Sequence, residues 1–571
     1  MQAIVIITRV SFFAIIRFHK TSAQAPNMKE TDARPVRAND STGHGPCKLK
    51  TKPDVKRLAA RLRARLAPVG RFAWSNRLAL SLAAIPFFLH VLAFNRYGFF
   101  RDELYFIVCG RHPALGYVDQ PPLTPLLAAA SQAGGQSLWL LRIVPALFQV
   151  GAVIGACAVA RLLGGGRTAQ VFTGLCAGLS PLLLALTGLL ETTALEPFFW
   201  TAVVYALLRA VLRDQPRWLM VAGVAAGTAL ETKYTIVFLL AGLVAGLAVA
   251  GPRSIFVRRE FWLGAAAATA LILPNALWQN AHGWPMWEVL RNDAVDKNVI
   301  LDPVPWMVQQ FVIYSPLMAP VWLAGIVALN VWRPTRFLGL AVLSIYAAFM
   351  LLHARDYYLA GIYPVLFAAG GTALERVLRL RAVRYTYATL LAATSVFVAP
   401  VALPLLDEKT LIAYRSSAEA MLAERPADES SERYAVSVLP QHFADMHGWG
   451  TIVERIAEVE RTLSPSERAQ AAIFTQNFGE AAAIDVLGDG RLPVISGHNN
   501  YYLWGPHGKH AIFIIVGGRK SDYDRAFRDV RQVATIDNPY ARSDQIGVRI
   551  FIARDLRPEA VPFWPTVRHY D

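Results

Sequence analysis

The stretch FFRDELYFIVCGRHPALGYVDQPPLTPLL, residues 99–127, sets Arg101, Asp102, Glu103, Arg111 and Asp119 among aromatic side chains and prolines, directly after an apolar segment long enough to cross a bilayer. Carboxylates so placed can act as a general base, a nucleophile or a metal ligand. An exposed Arg101–Asp102 pair would contribute little by itself. An ionisable group at a membrane edge is costly, however, unless it faces a polar cavity, and Asp119 recurs just before QPPLTPL. The intervening LYFIVCG and ALGY are too apolar to stand free in water. The stretch is therefore expected to lie along the membrane as short helices, turning Asp102, Glu103 and Asp119 toward one cavity.

Two cations accompany these acids. Lys233 sits in ETKYT and Arg355 in HARDYY, each between apolar segments. Arg offers a phosphate a bidentate fork and Lys a point charge, so the pair suits a phosphate at the membrane surface. Local pairing of Lys233 with Glu231 and of Arg355 with Asp356 is the plainer alternative. WQNAHGWPMWE, residues 278–288, places three tryptophans around His282. Such rings occur in interfacial belts without any site, and they also stack on sugars or line a lipid groove. His282 could join a carboxylate in holding a metal, or could simply be hydrogen-bonded.

The elements that carry these residues are read from composition and periodicity. Of 571 residues 54% are hydrophobic and 17% charged, where a soluble chain carries about a quarter charged. About eleven apolar segments alternate with short charged loops, at roughly 76–95, 138–162, 169–190, 194–212, 216–231, 234–250, 261–280, 306–330, 336–353, 357–375 and 384–404. The pattern is that of a polytopic α-helical membrane protein and excludes a barrel. Alternate loops carry Arg161 and Arg167; Arg213 and Arg217; Arg253, Arg258 and Arg259; Arg333 and Arg336; and Arg376, Arg379, Arg381 and Arg384. The positive-inside rule makes those loops cytoplasmic. Residues 99–127, LLETTALEP, ETKYT, residues 278–298 and LLHARDYYL then share the extracytoplasmic face. The net charge of +16 comes from the basic N-terminal stretch together with these arginine-bearing loops, and no aromatic-interleaved basic domain argues for nucleic acid. The four cysteines show no paired spacing, which argues against a disulfide framework or a zinc knuckle.

Three regions follow. Residues 1–70 read as a variable basic extension, with a cytoplasmic amphipathic helix over 48–66 facing anionic lipid. Residues 71–405 form the membrane domain. An odd span count places residues 406–571, which mix strand-like AIFIIVGG and GVRIFIARDL with helical stretches, outside as a small α/β domain. Its LGDGRLP and VGGRKS are ordinary turns, since no GxGxxG follows a strand.

RDELYFIVCGRHPALGYVDQPPLTPLLA resembles the first extracytoplasmic loop of glycosyltransferase family 39-like enzymes, the group of the dolichyl-phosphate-mannose protein mannosyltransferases and the aminoarabinose transferase of lipid A. ETKYT, LPNALWQNAHGWPMWE and ARDYYLAGIYPVLFAAGG are similar to later motifs of the group. LPQHFADMHGWG, TQNFGEAAAIDVLG and LPVISGHNNYYLWGP resemble the C-terminal domain of a bacterial branch. The resemblance runs from about residue 75 to the end. It implies a GT-C fold of about 11–13 spans in a bacterial inner membrane, moving a sugar from a polyprenyl phosphate to a lipid, protein or glycan acceptor with inversion. Asp102 would be the base or the acceptor-positioning carboxylate, with Glu103 beside it, and Asp119 would bind acceptor or metal. Lys233, Arg355, Tyr357 and Tyr358 would hold the lipid phosphate; Tyr117, Gln120, His282 and Trp284 would touch substrate. No cofactor is required, and a divalent metal on Asp119 or His282 is left open. Gln120 departs from the pattern, standing where many relatives carry His or Lys. The rival reading is a transporter or flippase for lipid-linked sugars, which would share the spans and the phosphate-binding cations but would place its polar groups nearer the midplane.

Overall fold

The structure is a computed structural model that describes residues 76–296, 299, 301–422, 437–560 and 563–571. The N-terminal extension and its amphipathic helix lie outside the described residues. Residues 78–571 form one compact unit. Its first part is a bundle of apolar helices, and its last part is an α/β domain built on five strands.

Among the described residues, five helices are long and apolar enough to span a bilayer: Leu138–Leu162, Thr193–Leu212, Arg259–Ala281, Arg333–Leu351 and Arg381–Ala402. Arg77–Ala93, Arg217–Leu230 and Ile236–Ala250 are shorter apolar helices. Two segments expected to be single spans are broken. The first bends by 53° between Arg167–Leu179 and Pro181–Thr187, the second by 93° between Pro303–Ile313 and Pro316–Val331. Proline opens the second piece in each case, and Ser315 adopts a left-handed φ of 75° at the sharper break. The helix Tyr363–Val377 is buried for most of its length inside the bundle. Small residues allow the helices to approach closely: a Cβ on Gly370 would lie 1.7 Å from the Val321 carbonyl oxygen. Phe88, Leu92, Val237, Val249, Trp262 and Leu277 point outward, as lipid-facing side chains must.

Past Arg381–Ala402 comes the helix Glu408–Leu422, at the expected start of the C-terminal domain. Strands β1 (Ala471–Thr475), β2 (Val494–Ser496), β3 (Ile512–Val516), β4 (Phe527–Ile536) and β5 (Val548–Leu556) make one sheet in the order β2-β1-β3-β5-β4. β1 pairs in parallel with β2 and β3, while β5 runs antiparallel to β3 and β4. Alternation along each strand separates two faces. Ala472, Phe513, Ile515 and Phe551 pack toward Phe563 and Trp564. Ile473, Ile514, Ile550 and Ile552 pack toward the helices Trp449–Arg461 and Phe478–Leu487.

This second core continues without a break into the first loop. Leu104, Tyr105, Phe106, Ile107 and Val108, on the helix Arg101–Arg111, belong to it. The short helix expected there exists, but its apolar run is covered by the C-terminal domain rather than by lipid. Burial against protein satisfies the same hydrophobic demand.

Candidate functional site

The helix Arg101–Arg111 starts where Glu103 turns back on the chain. Its Oε2 accepts the Phe100 N–H at 2.9 Å. Glu103 is completely buried. Oε1 takes Arg142 Nε and the Leu190 N–H, both at 3.2 Å, and Oε2 also takes Arg142 Nη2 at 3.1 Å. Arg142 spends its other N–H groups on the carbonyls of Phe94 (3.3 Å), Arg96 (3.2 Å) and Gly98 (2.7 Å). Every donor of the guanidinium fork is used. Glu103, expected among the catalytic acids, is thus committed to a clasp that joins three chain segments to the loop. Arg142 was not singled out in the sequence, although a lone arginine within an apolar run requires a buried partner.

Asp102, one residue earlier on the same turn, points the other way. Its side chain is 29% exposed and meets Arg101 Nε at 3.2 Å. Arg101 in turn lies over the Phe478 ring, 5.2 Å from its centroid, and its backbone N–H bonds the Asp445 carbonyl at 3.2 Å.

Asp119 is held from both sides. Tyr105 donates its hydroxyl to Oδ1 at 3.1 Å. Asn499 of the C-terminal domain donates to Oδ2 at 3.1 Å, and Asn500 reaches Oδ1 at 3.4 Å. The two neighbours expected to touch substrate face inward instead. The Tyr117 hydroxyl, buried, donates to the Cys109 carbonyl at 2.8 Å and closes the loop on itself. Gln120, also buried, points its amide at Cys109 Sγ, 3.7 Å away. Both side chains serve the loop's own packing, because its tight path leaves them no route to the surface.

Lys233 and Arg355 meet at Tyr357. Lys233 Nζ lies 4.3 Å from the centroid of Tyr358 and 5.7 Å from that of Tyr357. Arg355 donates to the Tyr357 hydroxyl at 3.1 Å and pairs with Asp293 at 3.4 Å. Lys233 bonds Thr193 at 2.5 Å rather than Glu231. Among the described residues this is its one hydrogen bond, which leaves ammonium donors for a ligand. Glu196, buried beneath, bonds Thr235 and acts electrostatically on Lys233. Glu196 and Thr193, in LETTALEP, and Thr235, in ETKYT, were not singled out in the sequence. The Leu123 N–H bonds the Glu231 carbonyl at 2.9 Å, and Gln279 donates to the Tyr117 carbonyl at 2.8 Å, so the first loop abuts the segments that carry this cluster.

His282 stacks on Trp278 with centroids 4.0 Å apart and directs Nδ1 at the Trp278 carbonyl, while Trp284 is 51% exposed with φ of 58°. Neither joins Asp119 in a three-ligand group. Among the described residues one such group exists: His498, His569 and Asp571, with ligand atoms within 4.8 Å of one another. Its hydrogen bonds argue against three free ligands. The Phe478 N–H points at His498 Nδ1 (3.3 Å), so in the neutral ring the proton sits on Nε2, 2.7 Å from Asp571 Oδ1. Burial lowers the His498 pKa and favours that neutral form. His498 and Asp571 are thus a hydrogen-bonded pair.

Comparison with known proteins agrees with this architecture. Residues 119–278 match the family model described as dolichyl-phosphate-mannose-protein mannosyltransferase. The crystal structure of ArnT from Cupriavidus metallidurans bound to undecaprenyl phosphate superposes with a TM-score of 0.53 at 14% identity, covering 84% of this chain and 98% of that one. The apo form gives 0.52 at 13% identity, over 85% and 98%. No curated protein sequence matches. The fold is the GT-C type, a multi-span helical body with a small C-terminal sheet domain. The family match spans residues 119–278 of the 571, and the superpositions, at 13–14% identity, show a shared fold.

Proposed function

We propose that the chain transfers a sugar from a polyprenyl-phosphate donor to an acceptor at the extracytoplasmic face of a bacterial inner membrane, with inversion at the anomeric carbon. The observation that carries this reading is the convergence of Lys233, Arg355, Tyr357 and Tyr358 in one cluster beside the first loop. As the sugar–phosphate bond breaks, negative charge collects on the departing polyprenyl phosphate, and the ammonium and guanidinium stabilise it. Asp102, accessible and on the opposite side of its helical turn from the clasp, takes the proton of the incoming hydroxyl. Asp119, fixed in orientation, positions the acceptor. The acceptor is a lipid, protein or glycan hydroxyl or amine, and membrane lipids surround the cluster.

The test uses purified enzyme with a panel of polyprenyl-phosphate sugars and host membrane extract, measuring polyprenyl phosphate released. One donor should react. Asp102→Asn should fold normally yet lose at least about a hundredfold in turnover, and Lys233→Ala should raise the donor KM. No release from any donor by a stably folded protein would favour the flippase reading.

A further inference from the structure

The C-terminal domain contributes more to the first loop than hydrophobic cover. Asn499 and Asn500 follow His498 at the start of the short helix Asn499–Trp504, and both are essentially unexposed. Asn499 Nδ2 bridges Asp119 Oδ2 (3.1 Å) and the Asp571 carbonyl (3.0 Å), while its Oδ1 accepts the Asp571 N–H at 3.2 Å. Asn500 directs its backbone N–H and Nδ2 at the Tyr105 hydroxyl (3.2 and 2.5 Å), and its Oδ1 accepts the Val118 N–H at 3.2 Å. With its oxygen thus occupied, the Tyr105 hydroxyl gives its proton to Asp119 Oδ1. Each Asp119 oxygen therefore meets a donor oriented by the C-terminal domain.

The backbone around this pair is unusual. Asn499 has φ of 48°, a left-handed conformation that asparagine tolerates better than other non-glycine residues. Residues 567–571 run back beside it: Asn499 N–H bonds the His569 carbonyl at 3.1 Å, and His569 N–H bonds the Gly497 carbonyl at 3.0 Å. Gly497 is required for that approach, because a Cβ there would lie 1.9 Å from the Val567 carbonyl oxygen. A strained, buried, fully bonded asparagine aimed at an acid on another domain is a costly arrangement for docking alone.

We propose that Asn499 and Asn500 are positioning residues for the Asp119 carboxylate, so that the C-terminal domain completes the first-loop site. The proposal rests on the reading of Asp119 as part of the transferase site, but its structural claim can be tested apart from that reading. Asn499→Gly suits the left-handed backbone and removes the side-chain bonds. Asn499→Asp keeps the shape and places a carboxylate oxygen where a donor faced Asp119. Among the described residues, the titratable groups around Asp119 include Tyr105, Cys109 and, across Asn499, Asp571 and His498.

Two readouts are taken on the full-length protein: the kcat and KM of sugar transfer across pH, and carbodiimide labelling of Asp119 across pH, followed by mass spectrometry. Asn499→Asp should move the labelling midpoint up by about one pH unit, through like-charge repulsion, and lower kcat about tenfold or more with the donor KM little changed. Asn499→Gly relieves the left-handed strain but loses the side-chain bonds to Asp119 and Asp571, so it should melt somewhat below the wild type while still folding, and give a smaller shift in the same direction. Identical labelling midpoints in all three proteins would overturn the proposal whether or not transfer is detected. Shifted midpoints with no transfer by the wild type would support the clamp while refuting the transferase reading.

Discussion

Replacing Glu103 by Gln removes one negative charge and alters shape hardly at all, so its cost can be worked from the clasp. Oε1 receives Arg142 Nε and the Leu190 N–H; Oε2 receives Arg142 Nη2 and the Phe100 N–H. Whichever way the glutamine amide is turned, its NH2 faces two donors. Two hydrogen bonds are lost and the guanidinium is left buried without a counter-charge. Both side chains are at most 1% exposed, so solvent screening does not soften the loss. Hydrogen bonds to charged groups contribute about 1.5–3 kcal/mol each, and removing one partner of a buried pair costs about 3–5 kcal/mol. Arg142→Met should cost at least as much, because it strands the carboxylate together with the carbonyls of Phe94, Arg96 and Gly98.

Cys109, buried on the helix Arg101–Arg111, provides a local reporter. With the other three cysteines replaced, its labelling rate by a thiol reagent measures opening of the loop. A loss of 3–5 kcal/mol predicts labelling faster by roughly a hundredfold to a few thousandfold if opening limits access. Wild-type protection of Cys109 in Glu103→Gln, combined with abolished sugar release, would refute this reasoning and return Glu103 to the catalytic acids.

Two further outcomes are expected. Glu480, buried on the helix Phe478–Leu487, is raised from 4.5 to about 7 by desolvation despite hydrogen bonds from the Gln476 N–H and Gln545. The folded state therefore keeps a proton that the unfolded chain has lost, so this group's contribution to stability is full below about pH 4.5 and disappears as pH rises through 7, a span worth about 3 kcal/mol. Thermal melts at pH 5 and pH 8 should differ more for the wild type than for Glu480→Gln, and equal differences would refute the assignment. In right-side-out cells, an impermeant thiol reagent should label a cysteine at Glu458 and miss one at Arg213; the reverse would invert the topology.

The cluster of Lys233, Arg355, Tyr357 and Tyr358 was legible because each of its cations stands in a short polar loop between apolar runs, where a charge has few structural uses. The gathering of those loops at one end followed from span alternation, and contacts such as Leu123 with Glu231 realise it. The clasp was not legible. Arg142 lies inside an apolar run that was read as a span, and its partner is 39 residues away. The Asn499–Asp119 contact bridges 380 residues, and nothing local in GHNNYY indicates what it touches. Tyr117 and Gln120 were misjudged for a related reason: proximity in sequence to a functional acid does not fix which way a side chain faces in a tight loop. The broken spans at Ser180 and Ser315 carried a local signal in the following prolines, which a count of apolar lengths passes over.

Burial separates the charges that hold this site from those available to react. Glu103 and Arg142 are at most 1% exposed, and each is saturated with partners. A group so placed cannot exchange a proton with an acceptor or reach a phosphate without dismantling the loop it supports. Asp102 is 29% exposed, and Arg355 and Asp293 are 11% and 22%. These are desolvated enough for charge to act strongly and open enough to meet a ligand. The rigid pair lies one residue from the accessible acid, on the first turn of the same helix. The clasp thus fixes the helix start, and Asp102 inherits its position from it.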